Sequence, residues 1–383
     1  MSVAAQRATA ALPRLRDVVR RAGAPGIVLS SPAAVAWATG GANPPVDRTA
    51  AIDVVWVVVS AEAAANSDGG VQVLTTEVEA PRLRSEGPFA ELGWPVTAVP
   101  WWEPDAFVGA AERALDKPAS IIASDGHVAF GVDASHDLVA TRMALTAPDV
   151  DAMRALARDS AAAVEQALKQ WSPGEPDRVI AGRIAENTET VGACAPVLLV
   201  GGDDRVRRFR HPVATGSAVD DVVMAVLVAS RGGLHVALTR YAARPAAAAE
   251  LSGALDAVRR IHARVLKRCV PGVTAGAVLD ELDGAYAAQG HAQAWRQHYQ
   301  GGPIGYAQRE FEITPGQRAS EWWDQPLEAK TALAWNPSLP GGAKDEDTYL
   351  LDDDGLELLT QTGNWPTVEC DGLTRPSVLL VEN

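Results

Sequence analysis

The chain has 383 residues, room for two or three domains at roughly 150 residues each and too long for one small module. Its 34 Lys and Arg against 48 Asp and Glu leave a net charge of −14, a field that repels nucleic acid and anionic membrane surfaces. With 47% hydrophobic and 21% charged residues it can bury a sizeable core, and its three separated cysteines exclude a disulfide framework or zinc knuckle and point to the cytoplasm.

The first segment carries Leu12, Leu15, Val18 and Val19 at helical spacing and stops before Gly23-Ala24-Pro25-Gly26, so it predicts a helix. Its mixture of apolar and basic residues contains no continuous apolar stretch of the kind an export signal needs, and no run of about 18 apolar residues occurs anywhere. Short β-branched or apolar runs follow at Gly26–Ser30, Val54–Val59, Val71–Thr75 and Ser120–Ser124, with helical stretches between several of them. This predicts an α/β domain over residues 1–145. At Thr146-Ala147-Pro148-Asp149 a helix start leads into a helical pattern from Val150 to about Gln170, and the second domain is placed at 146–383.

The second domain contains an internal repeat. Leu168-Lys169-Gln170-Trp171-Ser172-Pro173-Gly174 and Leu266-Lys267-Arg268-Cys269-Val270-Pro271-Gly272 each close a helix, and a second helix follows each, ending at Gly192 or Gly290. Pro-Gly stops helices wherever it falls, so coincidence is the alternative; the matched glycines and helix lengths favour a duplicated unit. Each unit leads into a β-rich segment, Ala195–Leu238 and Gly302–Leu359. Two α+β halves curling into a shared sheet are predicted, with a pocket in the seam between them.

Common catalytic signatures are absent: the chain has no HExxH, no GxSxG, no phosphate-loop GKS/T and no GxGxxG. The chemistry-bearing residues lie instead in Arg207–Pro212, Thr239-Arg240, His298–Tyr306, Arg309-Glu310, Trp335-Asn336-Pro337 and Asp345–Thr348. His211 beside Pro212 has an imidazole suited to proton transfer, or is simply a loop histidine. Glu346 reads as a substrate-facing carboxylate or as part of an exposed charged hairpin, and Asp352-Asp353-Asp354-Gly355 as a solvated turn. The glycines of Gln300–Gly305 serve either a turn or a ligand approaching the backbone. Arg205, Arg207, Arg208 and Arg210 read as a solvated face, with guidance of an anionic ligand as the alternative. Trp322, Trp323 and Trp335 are core packing by default, and otherwise line a pocket or a dimer seam.

The order helix-Pro-Gly-helix, His-Pro, Thr-Arg, Gly-rich loop, Asn-Pro and Lys-x-Glu-Asp-Thr resembles the pita-bread fold of methionine aminopeptidases, proline-specific aminopeptidases, prolidases and creatinase. The resemblance covers the whole chain, with Ser31–Gly40 similar to an early strand-loop of the creatinase and prolidase amino-terminal domain. It implies an α+β architecture: a pseudo-twofold duplicated pita-bread domain preceded by a creatinase-like α/β domain. Metallopeptidases of this fold hold two metal ions with two Asp, one His and two Glu, and those five places fall here on Val226, Ala237, Gly302, Asn336 and Glu346. The resemblance therefore allows an enzyme without metal or other cofactor, as creatinase is, but does not demand one. Its expected activity is cleavage of a C–N bond in a small amide, amidino or peptide-like compound.

In that reading His211, Glu346 and Glu310 are the catalytic set, with Arg309, His298, Tyr299, Asn336, Trp335 and Arg240 around the substrate. Arg309 would anchor a carboxylate-bearing substrate, or pair internally with a neighbouring acid; Arg240 would brace the sheet. A homodimer is implied by the same resemblance, with neither nucleic acid nor membrane as partner. Two alternatives stay open: a non-catalytic peptide-binding protein, as the histone-chaperone member of the fold is, and a metalloenzyme whose site is rebuilt from His211, His298, Glu310 and Glu346.

Overall fold

A computed structural model describes residues 1–42, 45–62 and 69–382. The chain divides into two compact units, residues 1–152 with the short stretch 232–234, and residues 153–231 with 235–383. The division falls inside a helix, Ala147–Lys169, a few residues beyond the composition change at Thr146.

The first unit opens with the helix Val3–Arg21, capped by Ser2 Oγ accepting from the Ala5 amide at 3.2 Å. Its sheet has six strands in the order Val96–Val99, Val71–Thr76, Val55–Ser60, Gly26–Leu29, Ala123–Ser124 and Val132–Asp133. Val55–Ser60 runs antiparallel to both neighbours, whereas Gly26–Leu29 and Ala123–Ser124 pair in parallel. Val28, Trp56, Val58, Leu74 and Ile122 form a core on one face. Two strands lie outside those expected from apolar runs, Val96–Val99 and the two-residue Val132–Asp133. The run expected as a strand over Ser120–Ser124 begins instead as a 3₁₀ turn, Ala119–Ile121.

In the second unit the repeat is a physical one. The helix Asp177–Thr190 has its counterpart in Ala275–Ala288, and both have 14 residues. The matched glycines share backbone conformations that only glycine adopts easily: φ is +90° at Gly174 and +88° at Gly272, then +71° at Gly192 and +78° at Gly290. Past the closing glycine the halves diverge, the first entering the strand Cys194–Gly202 and the second a 3₁₀ turn, Ala294–Gln297.

The longer strands form two four-stranded sheets rather than one shared sheet, with three two-stranded pairs beside them. The first has the order Leu379–Leu380, Leu234–Ala243, Val222–Arg231, Cys194–Gly202. The second has the order Gly301–Ile304, Thr331–Trp335, Tyr349–Asp352, Gly355–Leu358 and is antiparallel throughout. The seam between them is closed by isolated bonds instead of a ladder: the Thr239 amide donates to the Glu346 carbonyl (2.9 Å), the His235 amide to the Gly305 carbonyl (2.8 Å), and the Ala237 amide to Thr348 Oγ1 (2.8 Å). Asp353 and Asp354 sit in an exposed turn, as their composition suggests. Among the described residues no helix is long and apolar enough to cross a membrane.

Candidate active site

Thr239 and Glu346 face each other across the seam, with Thr239 Oγ1 donating to Glu346 Oε2 at 3.1 Å. Side chains two apart on an extended segment share a face, which brings Lys344 to the same side as Glu346. Its ammonium lies 3.1 Å from Glu346 Oε2, while the Arg309 guanidinium reaches Oε1 at 3.2 Å. Arg309 thus takes the internal ion pair rather than standing free as an anchor. Glu346 and Lys344 are both buried. Burial alone would raise the Glu346 pKa, but Lys344, then Arg309, outweigh it and hold the group down at about 2.

The five metal-ligand places implied by the resemblance do not fit a two-metal cluster. Val226 and Ala237 are buried apolar side chains, Gly302 has none, Asn336 offers an uncharged amide, and both oxygens of Glu346 already meet cations. Among the described residues no three His, Cys, Asp or Glu side chains come together as a metal-holding group. In particular, the rebuilt set of His211, His298, Glu310 and Glu346 is not assembled, and only its two histidines meet.

His211 and His298 come from segments far apart in sequence, and their Nε2 atoms lie 3.1 Å apart. His298 Nδ1 bonds the Tyr299 carbonyl, which can only accept, so Nδ1 carries the proton and Nε2 a lone pair. His211 Nε2 must then be the donor of the pair, leaving His211 Nδ1 as a free base. Desolvation, followed by the Lys344 charge, pushes His298 down to about 3, and the same two causes lower His211, with Glu346 opposing in both cases. Both rings are therefore neutral at pH 7. The Tyr299 ring is 70% exposed and stacks over His211 at 6.4 Å between centroids. His298 and Tyr299 also line an open cleft of 740 Å³ with Trp295, Arg296, Glu312 and Gln317.

Other sequence-selected residues have different surroundings. The Glu310 carboxylate accepts from the amides of Tyr306 (2.8 Å) and Ala307 (3.2 Å) and so braces its own loop. Arg240 is buried behind the sheet, bonded to Asp347 Oδ1 (2.8 Å) and the carbonyls of Thr239 and Thr360. Trp335 is buried and lies against Cys269, whose thiol burial pushes up to about 12. Asn336 keeps its side-chain oxygen buried without a hydrogen-bond partner, while its backbone amide donates to the Gln300 carbonyl at 3.0 Å. The arginine cluster is largely paired: Arg205 with Asp177 (2.6 Å), Arg207 with Glu250 (2.6 Å) and Arg208 with Asp204 (3.3 Å). Lys344 was the residue sequence reasoning passed over; its only signal is the two-residue spacing to Glu346.

Known structures share this architecture. The dipeptidase PepE from Mycobacterium ulcerans is 20% identical, with a TM-score of 0.72, covering 98% of this chain and 98% of its own. The Xaa-Pro dipeptidase from Bacillus anthracis is 16% identical, with a TM-score of 0.70, covering 98% of this chain and 100% of its own. The N-terminal domain of FACT complex subunit SPT16 from chickpea, Cicer arietinum, is 12% identical, with a TM-score of 0.63, covering 94% of this chain and 97% of its own. Neither a family model nor a curated protein matches the sequence. The chain has the pita-bread fold, with an α/β domain ahead of it, as prolidases and Xaa-Pro dipeptidases have.

Proposed function

We propose that this chain is a metal-independent hydrolase that cleaves the C–N bond of a small amide, amidino or peptide-like compound. The observation that carries the reading is the oriented His211–His298 pair beside the Glu346–Lys344–Arg309 cluster. A neutral imidazole held by a second group, with its other nitrogen free, is the arrangement a general base requires. His211 Nδ1 takes a proton from water as the oxygen attacks the carbon of the C–N bond. Negative charge gathers on the former carbonyl oxygen or amidino nitrogen, where the Lys344 and Arg309 cations supply positive potential. The imidazolium then returns its proton to the leaving nitrogen as the C–N bond breaks, giving an acid or urea and an amine.

Glu346 holds the two cations in place and, with a pKa of about 2, is itself a poor base. That neutralisation favours a second reading, a pocket that binds a peptide-like ligand without turnover.

The variant His211→Ala separates the two. Hydrolysis through this imidazole predicts a fall in turnover of about 10²- to 10⁴-fold with ligand affinity kept within a few-fold. Mass spectrometry on a panel of amides, amidino compounds and dipeptides reads product, and calorimetry reads affinity. If His211→Ala turns over at the wild-type rate, the base assignment is wrong. Absence of product from every compound, with Arg309→Ala weakening binding more than His211→Ala, establishes the binder.

A further inference from the structure

We propose that His211 and His298 form a two-imidazole clamp for a borderline transition-metal ion, with Zn²⁺ the reference case, at a place distinct from the five metal-ligand positions of the fold. The two Nε2 atoms stand 3.1 Å apart and the rings are tilted by 59° with centroids 4.9 Å apart. Two Zn–N bonds of about 2.0–2.1 Å at a tetrahedral angle place their nitrogens roughly 3.3 Å apart, so a small opening of the pair accommodates the ion. His298 already has the support that imidazole ligands use, its Nδ1 proton on the Tyr299 carbonyl and its Nε2 lone pair directed toward its neighbour.

Only His211 must change tautomer. Its proton moves from Nε2 to Nδ1, both rings stay neutral, and no net proton is released. Water completes the coordination shell, because His211 is exposed and His298 lines the open cleft. Imidazole ligands select Zn²⁺, Cu²⁺ or Ni²⁺ over Mg²⁺ and Ca²⁺. The Lys344 charge felt at both rings opposes a cation there and Glu346 offsets it in part. Occupancy would protonate the very nitrogen assigned as base. The clamp is thus inhibitory, a consequence that rests on the hydrolase reading, whereas the binding does not.

Calorimetric titration of the full chain with ZnCl₂ alone tests it. One equivalent should bind, and His211→Ala and His298→Gln should each weaken binding by more than about tenfold, at least the loss seen when a ligand's supporting group is removed. His291→Ala, elsewhere in the chain, should leave it unchanged. With Cu²⁺ as probe, electron paramagnetic resonance should show two coordinated nitrogens, reduced to one in either clamp variant. Circular dichroism checks that the variants fold. Lack of binding, or binding that survives both clamp variants, overturns the proposal. Binding without inhibition of turnover keeps the clamp and removes His211 as base.

Discussion

Lys344 and Glu346 show what a single residue pair contributes. A buried carboxylate is tolerated only with compensating charge, and here a lysine and an arginine provide it. Removing the nearer cation in Lys344→Met leaves a buried anion with one charged partner. The expected loss is ~3–5 kcal/mol at neutral pH, toward the lower end because Arg309 remains, read by urea unfolding. The pH dependence has a definite sign. Glu346 titrates near 2 in the folded chain and at 4.5 ordinarily, so its stabilisation is complete above 4.5 and is lost as pH falls toward 2. Without Lys344 the folded pKa rises and that acid-dependent loss shrinks; an unchanged acid profile in Lys344→Met would show that the ion pair does not hold Glu346 ionised. Glu346 was legible because the Glu-Asp-Thr pattern survives around it. Lys344 was not, since a lysine in a charged run reads as solvated and only burial reveals its partner.

At the scale of elements, the period of two in extended chain sorts the charged run. Lys344 and Glu346 face Thr239 in the candidate site, whereas Asp345 and Asp347 face the opposite way, as Arg240 does relative to Thr239. Behind the sheet Asp345 meets His262 of the helix Pro245–Arg268 at 2.9 Å and Arg375 of the strand Leu373–Pro376 at 2.5 Å. Alternation is visible in the sequence, but which face is the site and which the helix layer depends on packing: Arg240 braces the sheet, as one of its two readings has it, instead of facing a substrate, and nothing in the sequence marks His262. Burial, then the Arg375 charge, lowers His262 from 6.5 to about 4. The ring is neutral when folded and takes up a proton below pH 6.5 when unfolded. Its contribution is therefore full above pH 6.5 and lost as pH falls toward 4, about 2 kcal/mol between pH 7.5 and pH 5. Urea unfolding at those two pH values should show His262→Gln losing less stability on acidification than the wild type by that amount. His298 adds to the wild-type slope, so the difference between the two proteins is the informative quantity. Equal slopes would remove His262 as the source.

For the molecule as a whole, the internal repeat was readable because Pro-Gly helix stops and positive-φ glycines are written locally, while the split into two sheets depends on long-range pairing that no local signal carries. The resemblance implies a dimer through the carboxy-terminal half, with the amino-terminal domain reaching toward the neighbour. In the first unit, Trp101 and Trp102 are 66% and 58% exposed and pack edge to face at 6.0 Å between centroids, between Pro100 and Pro104. Two adjacent indoles left in water are costly for a monomer, and covering them with a second copy of the chain removes that cost. Light scattering at micromolar concentration should give about twice the 40.2 kDa chain mass. The double variant Trp101→Ser/Trp102→Ser lies on an exposed segment and should keep the fold while shifting the mass toward that of one chain. A wild-type mass of one chain would exclude the dimer, and a dimer untouched by the double variant would place its interface away from this tryptophan pair.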